Sequence, residues 1–159
     1  MKTNFLFPYR LKLISGILFT ISFILLTLLY ASDDSSRFEI NAKVFAVLGD
    51  SGLGSKNTLF NWIETSVTDE LLMLFVIPFG IIYAFSKEKN EDEMVASLRM
   101  NSLAWATIVN YIIVLLGYLF IYGLVFFNVL MVAMVSQLLI FILLFRYKMY
   151  RFNTASHEE

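Results

Sequence analysis

The 159-residue sequence contains no cysteine, which excludes disulfides, cysteine metal ligands and a cysteine nucleophile. Its single histidine, His157, lies in the polar tail NTASHEE, where a solvated residue is a better interpretation than a ligand or a base. Charged residues make up only 16% of the chain, against about a quarter in soluble domains. A soluble enzyme with a histidine- or cysteine-based site is therefore a poor match to this composition.

Apolar residues account for 58% of the chain, with 16 phenylalanines and 8 tyrosines, and they are concentrated in four runs. A run of about 20 apolar residues is long enough to cross a bilayer as a helix. We therefore predict an all-α membrane protein whose four spans cover about residues 13–30, 69–86, 103–122 and 124–145. The third and fourth spans are separated only by a short turn at Gly123, so they are predicted to form an antiparallel hairpin. Pro78 predicts a kink in the second span.

The first span has a rival interpretation as a cleaved signal peptide, because Ala31 and Ser32 are small residues of the kind found at cleavage sites. Its 18-residue apolar run is longer than a signal-peptide core, and the preceding Leu29 and Tyr30 suit cleavage poorly. A retained membrane anchor is therefore favoured.

Lysine and arginine predict how these spans are oriented. Nine of them lie in the amino-terminal flank, the linker between spans two and three, and the carboxy-terminal tail, against three in the loop at residues 31–68. Because cytoplasmic segments carry the excess of lysine and arginine, both termini are predicted to be cytoplasmic.

The outer loop at residues 31–68 is predicted to hold a short strand within residues 37–48 and a short amphipathic helix at residues 57–64. The motif GDSG at residues 49–52 is similar to a serine-protease signature, but no histidine lies nearby to act as its base. The longer string GDSGLGSKNT is similar to a phosphate-binding loop, but Ser55 puts Lys56 out of register with the glycines. A flexible turn is the better interpretation of both.

The linker at residues 87–101 is charged, and we expect it to extend the third helix into the cytoplasm, giving one helix from residue 86 to residue 110. Met94 and Leu98 lie at helical spacing on it and, with the adjacent Arg99, form a candidate docking surface for a partner protein. The alternative is an acidic connector that only solubilises the turn. Its carboxylates lack the ligand spacing of a calcium loop, so no metal or cofactor is predicted.

The predicted spans contain no ionisable side chain beyond their edges, which argues against a proton-driven exporter. Polar residues near the middle of spans three and four are Asn110, Tyr111, Tyr118, Ser136 and Gln137. In an antiparallel hairpin, Asn110 should lie level with Gln137, and Tyr111 level with Ser136. We predict hydrogen bonds between the two helices, and a structural role for them is favoured over a binding site.

The run FSKEKNEDEMVASLRMNSLAWATIVNYIIVLLGYLFIYG, with TDELLMLF upstream of it, resembles an uncharacterised family of small four-span bacterial inner-membrane proteins. The resemblance covers most of the chain from Thr68 onward. It implies a bacterial inner-membrane setting. The family has no established activity, so the resemblance assigns no functional residue.

These observations favour a multi-pass, non-enzymatic accessory or signalling protein that acts through helix–helix contacts. The alternative is a passive transporter or channel formed by an oligomer, with the face of Tyr111 and Tyr118 lining a path. The expected partners are the lipid bilayer and another membrane protein or a second copy of the chain. No catalytic residue, cofactor, metal or nucleic-acid partner is predicted.

Overall fold

The structure is a computed structural model that describes residues 6–31, 40–49, 58–89, 91–123 and 125–155. Its elements are, in chain order, α1 (Tyr9–Ala31), β1 (Asn41–Gly49), β2 (Thr58–Ser66), α2 (Thr68–Ala84), α3 (Glu93–Phe120) and α4 (Val125–Ala155). The predicted helical class, with four helices in the described part of the chain, is confirmed. By length and composition α1, α3 and α4 can each cross a membrane. The 17-residue α2 is about 26 Å long and thus shorter than the other three.

Local sequence explains where the helices begin. Pro8 directly precedes α1, and its carbonyl accepts a hydrogen bond from the Leu11 N–H at 3.0 Å. The first turn of α2 carries Asp69 and Glu70, whose negative charge suits the positive end of the helix dipole. Pro78 lies inside α2.

The third helix begins at Glu93, so the prediction of one helix starting at residue 86 is wrong for its first seven residues. Asp92 is the N-cap: its backbone is extended, and its side chain accepts a hydrogen bond from the Val95 N–H at 2.8 Å. Before that cap, the backbone of Ser86 and Lys87 runs beside Phe7 instead of coiling. Backbone pairing and the cap together outweigh the helical preference of the charged run.

The chain divides into two compact units, one of Met1–Ile17 with Ile77–Glu159 and one of Leu18–Val76. In the first unit, α3 and α4 form the predicted antiparallel hairpin. The turn uses Gly123 at φ 77°, a conformation that glycine adopts without strain. A hydrophobic core joins the end of α2 to the two helices of the hairpin, and its buried members are Ala84, Val95, Ala106, Phe141 and Phe145.

The second unit contains a two-stranded antiparallel sheet in which β1 pairs with β2, with Lys43 opposite Glu64 and Phe45 opposite Trp62. The predicted strand is confirmed. The predicted amphipathic helix at residues 57–64 is wrong, because residues 58–64 belong to β2. Cross-strand hydrogen bonds to β1 supply the partners that an isolated short helix would have had to find within itself. Residues 50–57, which carry most of both glycine-rich motifs, lie outside the described residues, as does His157.

Candidate functional site

Three separate parts of the chain meet at one end of the first unit. The Phe7 N–H donates to the Phe85 carbonyl at 3.0 Å, and the Lys87 N–H donates to the Phe7 carbonyl at 2.9 Å. This short parallel bridge fixes the start of the chain against the end of α2. Ser86, in the middle of the bridge, is 1% exposed. The charged side chains of the site are therefore positioned by paired backbone and not by a free loop.

Five charged side chains, Lys12, Glu88, Glu91, Arg99 and Arg146, gather around this bridge, and we call them the ion cluster. Its first half is a two-point contact in which Arg99 donates to both carboxylate oxygens of Glu91, at 2.7 and 3.1 Å. Arg99 is only 4% exposed. Its guanidinium also donates to the Ser86 carbonyl at 3.3 Å and lies 5.1 Å from the centre of the Phe145 ring. A planar guanidinium fits such a paired contact with a carboxylate.

The second half of the ion cluster has one carboxylate for two cations. Glu88 forms an ion pair with Lys12, which is 8% exposed. The same carboxylate oxygen lies 3.9 Å from Nη1 of Arg146. Arg146 also donates from Nε to the Tyr83 hydroxyl at 3.0 Å, and its guanidinium lies 5.1 Å from the centre of that ring. This half carries a net charge of about +1 at neutral pH.

A narrow cleft lies beside the second half of the cluster, and its lining residues are Lys12, Tyr83, Ala84, Glu88, Phe141, Ile142, Phe145 and Arg146. Its volume is about 10 Å³, which is about the space that one water molecule needs. Organic ligands occupy pockets of roughly 300–1,000 Å³. The cleft is therefore too small to enclose an organic ligand, and the arrangement is suited to holding chain segments together. Among the described residues, no three side chains with metal-ligating chemistry come together.

The structure separates the three residues of the predicted docking surface. Met94 is 54% exposed. Leu98 is half-buried and packs against the hydrophobic core, while Arg99 is buried in the ion cluster. Arg99 is thus engaged within the protein, because the break in the helix before Glu93 lets Glu91 fold back onto it, and Leu98 is partly covered by the hydrophobic core. Met94 remains, with Trp105 exposed to the same 54% further along α3.

The polar residues of α3 and α4 meet in a different pairing from the predicted one. Ser136 donates to Oδ1 of Asn110 at 2.6 Å, and Gln137 donates to the hydroxyl of Thr107 at 3.3 Å. Asn110 is 6% exposed, whereas the next residue, Tyr111, is 67% exposed. One residue on a helix is a rotation of about 100°, so turning Asn110 into the interface turns Tyr111 out of it. The predicted contact between Tyr111 and Ser136 is therefore wrong.

Tyr118 lies at the edge of the hairpin interface. It is 65% exposed, and its ring contacts that of Phe126 on α4 edge to face, with 5.7 Å between ring centres. Tyr111 and Tyr118 are therefore both largely exposed on α3, and only Tyr118 also contacts α4.

In the second unit, one face of the sheet is apolar and exposed. Phe45 and Trp62 are opposite each other with 5.6 Å between ring centres, and they are 53% and 67% exposed. Phe60 beside them has φ 54°, which is unusual for a residue with a side chain. Toward the helices, the same face carries the exposed pair Lys43–Glu64 at 3.1 Å. All three aromatic residues of the described strands are in contact here.

The ion cluster was not predictable from the sequence. A single sequence does not tell which charged groups pair across more than 50 residues, as Glu88 does with Lys12 and Arg146. The available signal was the end of the apolar runs: Lys12 and Arg146 each directly adjoin a predicted span.

The fold and the site together define a small helical protein with three helices able to cross a membrane, one shorter apolar helix and a charged cluster at one end. Comparison of the chain with protein-family models, with curated proteins and with solved structures gives no match.

Proposed function

We propose that this chain is a four-span protein of a bacterial inner membrane that acts without catalysis, as an accessory or signalling partner of another membrane protein. It would have both termini in the cytoplasm and bind its partner through helix–helix contacts. The observation that carries this proposal is the pair of exposed apolar residues, Met94 and Trp105, on one side of α3. The resemblance of the chain from Thr68 onward to a family of four-span proteins agrees with it.

A fourth span is supported by a hydrogen bond that joins the chain before α1 to the chain after α2. The 23-residue α1 is about 35 Å long, enough to cross a bilayer core of about 30 Å. Phe7, before α1, is hydrogen-bonded to Phe85, after α2. If α1 crosses the membrane, the chain must cross back before Phe85. The apolar helix α2 is the described segment suited to that return.

Docking through apolar side chains is supported because many charged and polar groups have partners within the protein. Lys12 and Arg99 form ion pairs inside the ion cluster, and Asn110 and Ser136 are hydrogen-bonded to each other inside the hairpin. Met94 and Trp105 are 11 residues apart, so they lie within about 20° of each other around the helix and about 17 Å apart along it. Two exposed apolar side chains aligned in this way are contact points for an adjacent helix.

A photoreactive amino acid in place of Met94 tests this surface directly. Met100 is the matched control, because it is on the same helix, six residues away, faces a different side and is 65% exposed. We expect one discrete cross-linked protein from position 94 and none from position 100. We also expect Met94→Glu to release that protein while Met100→Glu retains it. Identical products from both positions would contradict docking on this side of α3.

The absence of cysteine makes the orientation measurable with single-cysteine variants. Lys43→Cys reports on the sheet and Thr154→Cys on the end of α4, and both positions are exposed. A membrane-impermeant maleimide should label position 43 in intact cells with an opened outer membrane, and position 154 only after lysis. Labelling of position 154 before lysis would overturn the four-span arrangement with cytoplasmic termini.

The second candidate function is a passive path formed by an oligomer. Tyr111 and Tyr118 favour it, because they are seven residues apart and therefore lie within about 20° of each other on the outer face of α3. Proteoliposomes containing the purified chain would be assayed for potassium and glycerol flux. Tyr118→Phe should reduce the flux, while Tyr147→Phe, on the exposed end of α4, should not. Proteoliposomes no leakier than empty liposomes would rule this candidate out.

A further inference from the structure

Both carboxylates of the ion cluster have other partners than Arg146. Glu88 forms its ion pair with Lys12, and Glu91 binds Arg99 through both of its oxygens. The carboxylate oxygen that Arg146 reaches is therefore a shared one, at 3.9 Å. A neutral hydroxyl, that of Tyr83, is its nearer partner. Arg146 is a cation without a full counter-ion among the described residues.

The position of Arg146 makes it accessible to an anion. Its side chain is 43% exposed, against 12% for Glu88 and 9% for Lys12. An approaching anion thus meets the guanidinium before it meets the carboxylate behind it. The cleft is too small to enclose more than about one water, so the anion would lie at its mouth. The buried ammonium of Lys12 adds positive potential from inside.

The location relative to the apolar helices suggests which anion this is. Arg146 directly follows the apolar run of α4, and Lys12 directly precedes that of α1. Charged groups at such positions lie at the level of lipid headgroups when the helices cross a bilayer. Basic pockets between membrane helices bind the phosphates of anionic lipids. A guanidinium is also the side chain best shaped to contact two phosphate oxygens at once.

We propose that Arg146, with Lys12 behind it, forms a binding site for a phosphate group at the mouth of this cleft, and that anionic phospholipid supplies that group. The site depends on the membrane placement proposed above but not on docking at Met94, so each is tested by different substitutions. Tyr83 positions the guanidinium by accepting its hydrogen bonds.

The test uses the full chain purified in a neutral detergent and titrated with phosphatidylglycerol or phosphatidylcholine, with bound lipid counted by native mass spectrometry. Arg146→Gln is compared with Arg151→Gln, which removes the same charge from an exposed position five residues further along α4. A charge-assisted hydrogen bond contributes about 1.5–3 kcal/mol, so Arg146→Gln should weaken phosphatidylglycerol binding about tenfold or more. Arg151→Gln should weaken it by less than about fivefold, the effect of one charge near the surface. Phosphatidylcholine should bind weakly to every variant.

If Arg146→Gln does not fold, Arg146→Lys keeps the charge and removes the two-point contact, and it should still weaken phosphatidylglycerol binding more than Arg151→Gln does. Competition by millimolar inorganic phosphate would assign the site to soluble phosphate, and its absence to the lipid. Equal weakening by the substitutions at positions 146 and 151 would overturn the proposal, since it would show general attraction without a site. Equal binding of both lipids by the wild-type chain would overturn it as well.

Discussion

Replacing Glu91 by glutamine should destabilise the folded protein by about 3 kcal/mol or more, because the substitution leaves the buried charge of Arg99 without its counter-ion. Glutamine has nearly the size of glutamate, so packing is conserved and the effect is electrostatic. After the change, the close partners of Arg99 are the glutamine amide oxygen, the Ser86 carbonyl at 3.3 Å and the Phe145 ring at 5.1 Å. All three are uncharged, so none neutralises a guanidinium that is 4% exposed.

Two companion variants separate this effect from a general loss of charge. Glu64→Gln breaks the pair with Lys43, whose side chains are 71% and 72% exposed, and exposed pairs contribute about 0–1 kcal/mol. The double variant Glu91→Gln, Arg99→Met removes both members of the buried pair. Because it leaves no uncompensated buried charge, it should be more stable than Glu91→Gln alone.

The free energy of unfolding would be measured by titrating the purified protein from mild detergent into dodecyl sulfate and following the loss of helical circular dichroism. We expect Glu91→Gln to be the least stable of the three variants, Glu64→Gln to be close to wild type and the double variant to lie between them. A cost for Glu91→Gln no greater than that of Glu64→Gln would refute the burial argument. So would a double variant less stable than the single one.

Two further predictions use the same unfolding measurement. Ser136→Ala removes the hydrogen bond to α3 and should lower the free energy of unfolding by about 0.6–2 kcal/mol. Thr27→Ala is the control and should cost less, because the Thr27 hydroxyl donates only to the Phe23 carbonyl of its own helix, at 2.8 Å. A larger loss for Thr27→Ala than for Ser136→Ala would contradict the interhelical role. Gly16→Ala places a methyl group 2.9 Å from the Tyr83 ring. Overpacking costs about 1–3 kcal/mol and the better helix propensity of alanine returns up to about 1 kcal/mol, so a net loss is expected; a more stable variant would show that the ring moves freely.

The helices were predictable from the sequence because each has a long apolar run. A helix pairs the backbone N–H and carbonyl groups of such a run within the run itself. Their ends were less predictable. Hydropathy marks where a helix leaves the apolar phase and not where it stops, so α4 continues ten residues past the predicted span, through Arg146 and Arg151 to Ala155. The second strand was not predictable because residues 58–66 gain their hydrogen bonds from β1, which local spacing does not reveal.

The break before α3 is the main reason why the site was missed. In an uninterrupted helix, residues 91 and 99 would be about 12 Å apart along the axis, too far for a salt bridge. The observed pair, with 2.7 Å between Nη1 and Oε1, requires the chain to turn at Asp92. The sequence contained a good N-cap residue there, but its effect depends on the pairing of Phe7 with the linker, a contact almost 80 residues away.

The interhelical pairs show how small an error changes a functional interpretation. The predicted register placed Gln137 opposite Asn110, whereas the structure places Ser136 there. A shift of one residue moves Tyr111 from the interface to the outer surface. Antiparallel geometry gives the depth of a residue along the bilayer, but the rotation of each helix is set by close packing, such as that of Val129 against Gly117.

The ion cluster also explains how one set of lysines and arginines can serve two purposes in the proposed arrangement. Orientation in a membrane follows the number of lysines and arginines near the span ends, and acidic residues contribute little to it. Lys12 and Arg99 can therefore be neutralised by Glu88 and Glu91 in the folded protein without losing their effect on orientation. Glu88 and Glu91 thus join these segments by ion pairs without changing the effect of lysine and arginine on orientation. Arg146, which shares its carboxylate, is then the one cation of the cluster whose charge remains to be met from outside the protein.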